Sequence, residues 1–427
     1  MSEARPLPHP WYAASVDLPP PDGPLRGARS ADVVVLGAGL TGLAAALELA
    51  ERGRSVVVLE AERIGAGASG RNGGQLIFGY GCEMGTLERA LGTDAARALF
   101  AWSLEGMDIL HDRCRRYRID CDWQPGHAHV PIRPRQERAL RAERDTLAER
   151  YGYRLEWWSR EQLAAVLDSP RYRGALFDPR SGHLHPLKYL LGLARACRSL
   201  GVQILEGSRV RAVERGARVV FRTDAGSVDA AFGVLAGNAY LGRLVPELDA
   251  RLMPVGSYVA VTEPLGHARA TGLIRNRMAV ADVNWALDYF RLTADDRLLF
   301  GGRASYSTLP PPGLAAVMRR RIARVFPRIG PFRLEHLWGG RLGITLNRAP
   351  HWGRLDGNLY FAQGFSGHGL NTSQLAGRIL AEAILAQSTR LDPFARLQHK
   401  PFPGGRWLRT PLLVAAMGWY KLRDALW

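Results

Sequence analysis

Apolar positions in this chain follow two rhythms, and the change from one to the other marks its first unit. Residues 32–36, Asp-Val-Val-Val-Leu, form a short run of the kind a buried parallel strand shows. Leu43, Ala46, Leu47 and Ala50 then recur at helical spacing, and Gly53 closes the helix. Residues 55–59 are a second apolar run that ends at Glu60. The pattern is that of a βαβ unit. Further on, helical periodicity is expected over 89–110, 133–150, 160–163, 186–199 and 375–385. Short strands are expected at 202–205, 210–213, 219–223, 228–231, 232–235, 254–262, within 278–290, and at 298–302 and 359–362. Residues 1–30 are Pro-rich without periodicity and read as an extended surface arm, or as disorder. Residues 412–427 read as an amphipathic helix, packed on its own protein or a second subunit, or lying on a membrane surface.

Glycines punctuate the first unit at G-x-G-x-x-G spacing. Gly37 lets the chain turn tightly out of the strand, Gly39 lets a pyrophosphate approach the backbone, and Gly42 lets helix and strand pack closely. Leu40 and Thr41 then open a helix whose free N–H groups and positive dipole end suit phosphates. Glu60, at the end of the second strand, can accept hydrogen bonds from ribose hydroxyls and repels a 2′-phosphate. Glycines alone are weak evidence, but strand, glycines, helix, strand and acid in this order are a dinucleotide fingerprint. The stretch 61–75 is rich in Gly, Ala and Ser and runs from Ala61 and Arg63 through Ala68, Ser69 and Gly70. It ends in Arg71, Asn72, Gly73, Gly74 and Gln75. A chain passing close under a wide tricyclic ring needs such a stretch; an ordinary NAD site does not. FAD is therefore the expected cofactor, the alternative being a flexible surface loop.

These residues, with HPLKY at 185–189, YFRLTADDRLLFGGR at 289–303 and NRAPHWGRLDGNLYFAQGFSGHGLN at 347–371, resemble the D-amino-acid-oxidase superfamily of FAD-dependent oxidoreductases. Within it they look like the gamma-glutamylputrescine oxidoreductase-like branch, and FPGGRWLRTPLL at 402–413 also fits. The resemblance implies an α/β fold: a Rossmann-type FAD domain with an interleaved antiparallel-sheet substrate domain. It implies cofactor neighbours at Val210, Ala236 and Gly237, and a second flavin signature at Gly364, Phe365, Ser366, Gly367, His368, Gly369 and Leu370. The stretch carrying Leu342 and Gly343 is expected to pass the flavin as well. Leu342 stands where sarcosine-oxidase members carry the cysteine that attaches flavin, so non-covalent FAD is expected. Arg291 falls where those members place a lysine near flavin N5. It either supplies that cation or pairs with Asp288 or Asp296. His368 either lines the active site or braces its loop. Phe78 and Asn371 replace the two cations that grip an α-carboxylate, which disfavours a simple α-amino acid. Trp285, Tyr289, Phe290 and Tyr306 are candidate pocket walls, or core aromatics.

Length and charge adjust this picture little. The 427 residues suit two or three domains. An arm (1–30) precedes an FAD domain in three pieces (31–88, 186–250, 336–390). A substrate domain (89–185, 251–335) and a tail (391–427) complete the division. The net charge is +17, with 57 Lys and Arg of which three are Lys. The arginines are scattered rather than gathered into a block with interleaved aromatics, so nucleic acid is not expected as a partner. No run reaches the roughly 18 apolar residues of a membrane span, and the N-terminus has no apolar leader. Four cysteines without C-x-x-C spacing, and His183 and His185 without ligand-spaced companions, give no metal site and point to a reducing, cytoplasmic compartment.

The resemblance then implies a flavoprotein oxidase of a primary or secondary amine. Hydride would pass from the amine α-carbon to FAD N5, the imine would hydrolyse, and O2 would reoxidise the flavin to give H2O2. A dehydrogenase delivering electrons to quinone, and an Arg-rich binding protein with structural FAD, are the alternatives. Oligomeric state is left open.

Overall fold

The computed structural model describes residues 10–284, 287–305, 312–405 and 411, with backbone only for 303–305. Trp285, Tyr306, the first nine residues and the tail helix expected at 412–427 lie outside the described residues.

The apolar run before Gly37 becomes the middle of a sheet. Val33, Val34 and Val35 are fully buried, as a strand covered on both faces requires. The strand Gly27–Leu36 pairs in parallel with Val56–Leu59 on one side and Gly226–Leu235 on the other. The sheet runs His351–Asp356, Leu359–Gln363, Gly226–Leu235, Gly27–Leu36, Val56–Leu59, Gln203–Leu205. Ala212–Glu214 and Val219–Arg222 add an antiparallel flap. A second sheet is almost wholly antiparallel. Its order is Leu334–Ile344, Met253–Thr262, Leu298–Ser305, Tyr289–Leu292, Ala279–Asp282, Gln124–Val130, Ala175–His183, Gln75–Leu76, with Glu156–Trp158 on Ala175–His183. The α/β class and the two sheets follow the pattern read from the sequence.

The helices over the first sheet are locked by a buried charge network. Glu48, on Leu40–Glu51, is 2% exposed and receives Arg113 at 2.7 Å, Arg378 at 3.0 Å and Arg52 at 2.5 Å. Burial pushes its carboxyl up, but the three arginines outweigh this and hold it below the usual carboxylate range. Arg113 and Tyr189 both donate to Gln374 Oε1. Four helices, Leu40–Glu51, Thr93–Arg116, Pro186–Ser199 and Gly369–Ile384, thereby share one cluster. Breaking one member would strand a buried charge. No helix among the described residues is long and apolar enough to cross a membrane.

Several elements differ from the expectations. Gly92, at φ +87°, divides the expected 89–110 helix into Met84–Leu91 and Thr93–Arg116. The strands expected at 228–231 and 232–235 are one, Gly226–Leu235. The arm does not lie extended on the surface throughout. Trp11–Ala14 forms a helical turn, and Trp11, Tyr12 and Leu25 are buried. Tyr12 packs edge-on against Trp338 and His185. Its last residues, from Gly27, belong to the central strand. Phe290 is a core residue, fully buried and stacked on Phe300, and does not line the cavity described below.

Candidate cofactor and substrate cavity

Where the central strand ends, the chain opens a cavity of about 1010 Å³. Gly37 turns at φ +100°, a conformation that favours glycine, and its N–H donates to Leu59 O at 2.8 Å. A Cβ on Gly42 would sit 1.9 Å from Gly37 O, so this glycine serves helix–strand contact and does not line the cavity. Gly37, Gly39, Leu40 and Thr41 do line it, which brings the helix N-terminus and its positive dipole end to the space. Ser69 Oγ accepts Leu40 N–H at 3.0 Å and fixes the 61–75 stretch against the turn. Glu60 lines the same end, accepting Ala38 N–H at 2.9 Å and Glu62 N–H at 3.0 Å. Burial nonetheless pushes its carboxyl up. Ala61, Val210, Ala236 and Gly237 complete this end.

The small-residue stretch folds back on itself. Gly70 is packed so closely that a Cβ would lie 2.3 Å from Gly65 O; it stays off the cavity. Arg63 is also off it, bound to Glu206 at 3.2 Å and Pro19 O at 2.7 Å. Ala68, Ser69, Arg71, Asn72, Gly73, Gly74 and Gln75 line the space. Asn72 holds the loop through Ser69 O, Ala68 O and Gly74 N–H. A Cβ on Gly73 would sit 2.4 Å from the Tyr289 ring, so ring and backbone share one narrow layer. Opposite come Leu342 and Gly343, then Phe365, Ser366, Gly367, His368, Gly369 and Leu370 at the start of Gly369–Ile384. Gly364, at φ +75°, shapes that loop from outside the lining, its N–H on Asn238 Oδ1.

Arg291 is not beside the cavity, contrary to the expectation of a cation at flavin N5, and pairs with neither Asp288 nor Asp296. Asp288 binds Arg321 and Asp296 binds Arg277. Arg291 lies behind Gly73 and Gly74, 3% exposed. It donates to Gly73 O (2.8 Å), Leu184 O (3.1 Å), Leu292 O (3.3 Å) and Tyr12 OH (3.2 Å), with His183 Nδ1 at 3.4 Å. Asn371 is also turned away from the lining, its Nδ2 donating to Ile77 O at 2.6 Å.

Beyond the ring of glycines the cavity continues between helices. Phe78 lines it and packs on Phe100 and Tyr153. Tyr289, Met84, Leu140, Leu147 and Val283 extend the apolar wall. His368 and His129 face this region, both neutral: burial takes them down to about 3 and about 4. His368 Nδ1 is buried without a hydrogen-bond partner among the described residues. Cys82 lines the wall as a thiol, pushed up to about 12 by burial. The sequence reading missed His129, Asp282, Arg348 and Glu143. For Glu143 there was a signal: it stands three residues after Leu140 and four before Leu147, on the apolar face of Pro134–Tyr151.

The cavity suits FAD on its own geometry. A helix N-terminus behind a glycine turn, a carboxylate at the end of the neighbouring strand, and two glycine loops that face one flat space match pyrophosphate, ribose and a tricyclic ring in turn.

Comparison with known proteins agrees. Residues 32–383 match the family model of the DAO FAD-dependent oxidoreductases. The chain is 43% identical over 418 residues to the gamma-glutamylputrescine oxidoreductase of Escherichia coli (strain K12), covering 97% of this chain and 98% of that protein. It is 42% identical over 407 residues to the probable oxidoreductase OrdL of Haemophilus influenzae, covering 94% of each. In fold it is similar to the glycine oxidase of Geobacillus kaustophilus, with TM-score 0.72, 21% identity and coverage of 87% of this chain and 100% of that one. It is similar too to the L-amino acid deaminase of Proteus vulgaris, with TM-score 0.73, 19% identity and coverage of 89% and 99%.

Proposed function

The chain belongs to the DAO family of FAD-dependent oxidoreductases, and on that premise we propose that it oxidises a primary or secondary amine of the gamma-glutamylputrescine type, with non-covalent FAD and dioxygen as final acceptor. One observation carries the reading: the dinucleotide turn at Gly37–Thr41 and the aromatic wall at Phe78 and Tyr289 line one cavity. The high identity to a gamma-glutamylputrescine oxidoreductase supports the substrate class.

When bound, FAD supplies the two-electron acceptor that amine oxidation requires. Everything else falls to this chain. The Leu40–Glu51 helix N-terminus would hold the pyrophosphate and Glu60 the ribose. Gly73–Gln75 and Phe365–Leu370 would bound the ring. Phe78, Tyr289 and the leucines exclude water, which favours the neutral amine over the ammonium. Neutral His129 and His368 can hydrogen-bond such an amine without adding a competing charge. The positions of a carboxylate clamp hold Phe78, in the aromatic wall, and Asn371, tied to Ile77 O, which favours an amine over a simple α-amino acid. Leu342 at the attachment position, with Cys82 kept as a thiol, supports non-covalent FAD.

The test is the visible spectrum of the purified protein before and after anaerobic addition of gamma-glutamylputrescine. Bleaching within the mixing time, with colour and peroxide appearing on admission of air, is the expected result. A flavin that stays yellow rejects this substrate. One that bleaches but recolours only with a quinone replaces the oxidase by a dehydrogenase. A protein that never takes up FAD overturns the reading altogether.

A further inference from the structure

Two of the four cysteines lie together, away from the cofactor cavity. Cys114 is in the last turn of the helix Thr93–Arg116, and Cys121 stands just before the strand Gln124–Val130. Their sulfurs are 3.6 Å apart. The turn between them holds this arrangement against backbone strain. Arg118 and Asp122 take φ +50° and +53°, in the left-handed region that side chains rarely adopt. Anchors along the turn keep them there. Ile119 N–H donates to Cys114 O at 2.9 Å, and the Ile119 side chain packs so closely on Gly192 that a Cβ there would lie 2.4 Å from it. His185 N–H donates to Cys121 O at 2.7 Å, and Asp122 pairs with Lys188 at 2.7 Å. The two thiols are unequal. Cys121 is 3% exposed, whereas Cys114 is half-buried beside the exposed Arg115 and Arg116. The hydrogen bond from Cys121, helped by the Arg115 cation, holds the Cys114 thiol below its ordinary value; the same contact and burial push Cys121 up. Burial pushes Cys82 and Cys197 up to about 12.

We propose that Cys114 and Cys121 are a reversible dithiol–disulfide site for hydroperoxides, Cys114 being the attacking sulfur and Cys121 the resolving one. The site lies outside the amine chemistry above and does not depend on it. The Cys114 thiolate attacks one peroxide oxygen, the O–O bond breaks, and the other oxygen leaves as water once protonated; Cys114 is then a sulfenic acid. The Cys121 sulfur attacks the Cys114 sulfur, the S–OH bond breaks, and a second water leaves. Two thiols have lost two electrons, and hydrogen peroxide has become two waters. A disulfide bond spans about 2.05 Å, so the sulfurs have about 1.5 Å to close. The bridge fastens the helix end where Arg113 holds Glu48 and Gln374 to the segment that leads into the strand carrying His129. A dithiol reductant reverses it by exchange.

The test treats reduced, desalted holoprotein with a small excess of hydrogen peroxide, then labels the remaining thiols with iodoacetamide during denaturation. Arg115, Arg116 and Arg118 lie between the two cysteines, so trypsin separates them unless a disulfide joins them. The expected product is one linked pair of peptides, Cys114 to Cys121, two hydrogens lighter than their sum. Cys82 and Cys197 should still carry label, and dithiothreitol should return both lost thiols. Cys121→Ser should leave Cys114 as a sulfenic acid that dimedone traps. Cys114→Ser should slow loss of the Cys121 thiol about 10-fold or more. Both variants are checked for FAD content. Four labelled thiols after a dose that fully oxidises glutathione would overturn the proposal, as would oxidation that falls first on Cys82 or Cys197. A wild-type Cys114 that reaches sulfinic acid while Cys121 stays free would overturn it too, because the resolving step would be missing. If the link forms as fast in guanidinium-unfolded protein, the fold contributes nothing and the assignment falls.

Discussion

Arg291 offers the sharpest test of the structural reasoning, because its position and its family resemblance point to different roles. Its guanidinium, 3% exposed, donates to three backbone carbonyls and the Tyr12 hydroxyl. One of those carbonyls belongs to Gly73, in the loop that lines the cavity. Arg291→Met would leave at least the Gly73 and Leu184 carbonyls unsatisfied. At about 1–3 kcal/mol for each stranded group, these two alone cost about 2–6 kcal/mol. That is a large part of the 5–15 kcal/mol by which proteins are typically stable. Arg291→Lys keeps the charge, but one ammonium cannot reproduce a planar fork aimed at acceptors on separate segments. It should recover no more than about half of the loss. The assays are chemical unfolding of the holoprotein, FAD dissociation, and the rate at which the reduced flavin is reoxidised by air. Lower stability and looser FAD in both variants, with reoxidation of the bound fraction little changed, are expected. The reasoning fails if both variants unfold like the wild type while reoxidation drops tenfold or more, since the cation would then be acting on the flavin itself.

Other consequences can be checked more briefly. Gly42→Ala puts a methyl 1.9 Å from the Gly37 carbonyl oxygen, a backbone atom that cannot step aside; the purified variant should show little or no flavin absorbance. Glu60→Leu removes the acceptor for Ala38 and Glu62 N–H; FAD dissociation, followed by fluorescence release, should weaken roughly 10- to 100-fold. Glu48 is held below its ordinary value in the folded protein, so its contribution is fully present above about 4.5 and is lost as pH falls. Stability of the wild type should therefore drop more steeply below that pH than that of Glu48→Gln, as measured by thermal unfolding across a pH series.

The cofactor end was legible because its determinants are local. Gly37, Gly39, Gly42 and Glu60 lie within one βαβ unit, where chain geometry alone brings them together, and the 61–75 stretch follows directly. Even there the split within the motif was not legible. Gly42 and Gly70 serve packing while their neighbours line the cavity, and only the close approach of Gly37 O and Gly65 O decides it.

What the sequence determined by itself was the first βαβ unit, several of the later strands and helices, the dinucleotide turn and the chemical class of the cofactor, set by periodicity and by the conformational freedom of glycine over short spans; the strands Gln124–Val130, Ala175–His183, Leu334–Ile344 and His351–Asp356 and the helix Leu314–Val325 were not read from it. The tertiary structure decided the rest. Arg291 and Tyr289 share a strand face at period two, yet one lines the cavity and the other braces it. The difference is made by Tyr12, 279 positions away, and by the Gly73 backbone. Tyr12 itself, in a segment without pattern, is buried because the sheet and the Pro186–Ser199 helix leave an aromatic niche for it. Contacts between residues far apart in the chain are fixed by packing of whole elements, and one element's pattern does not encode them.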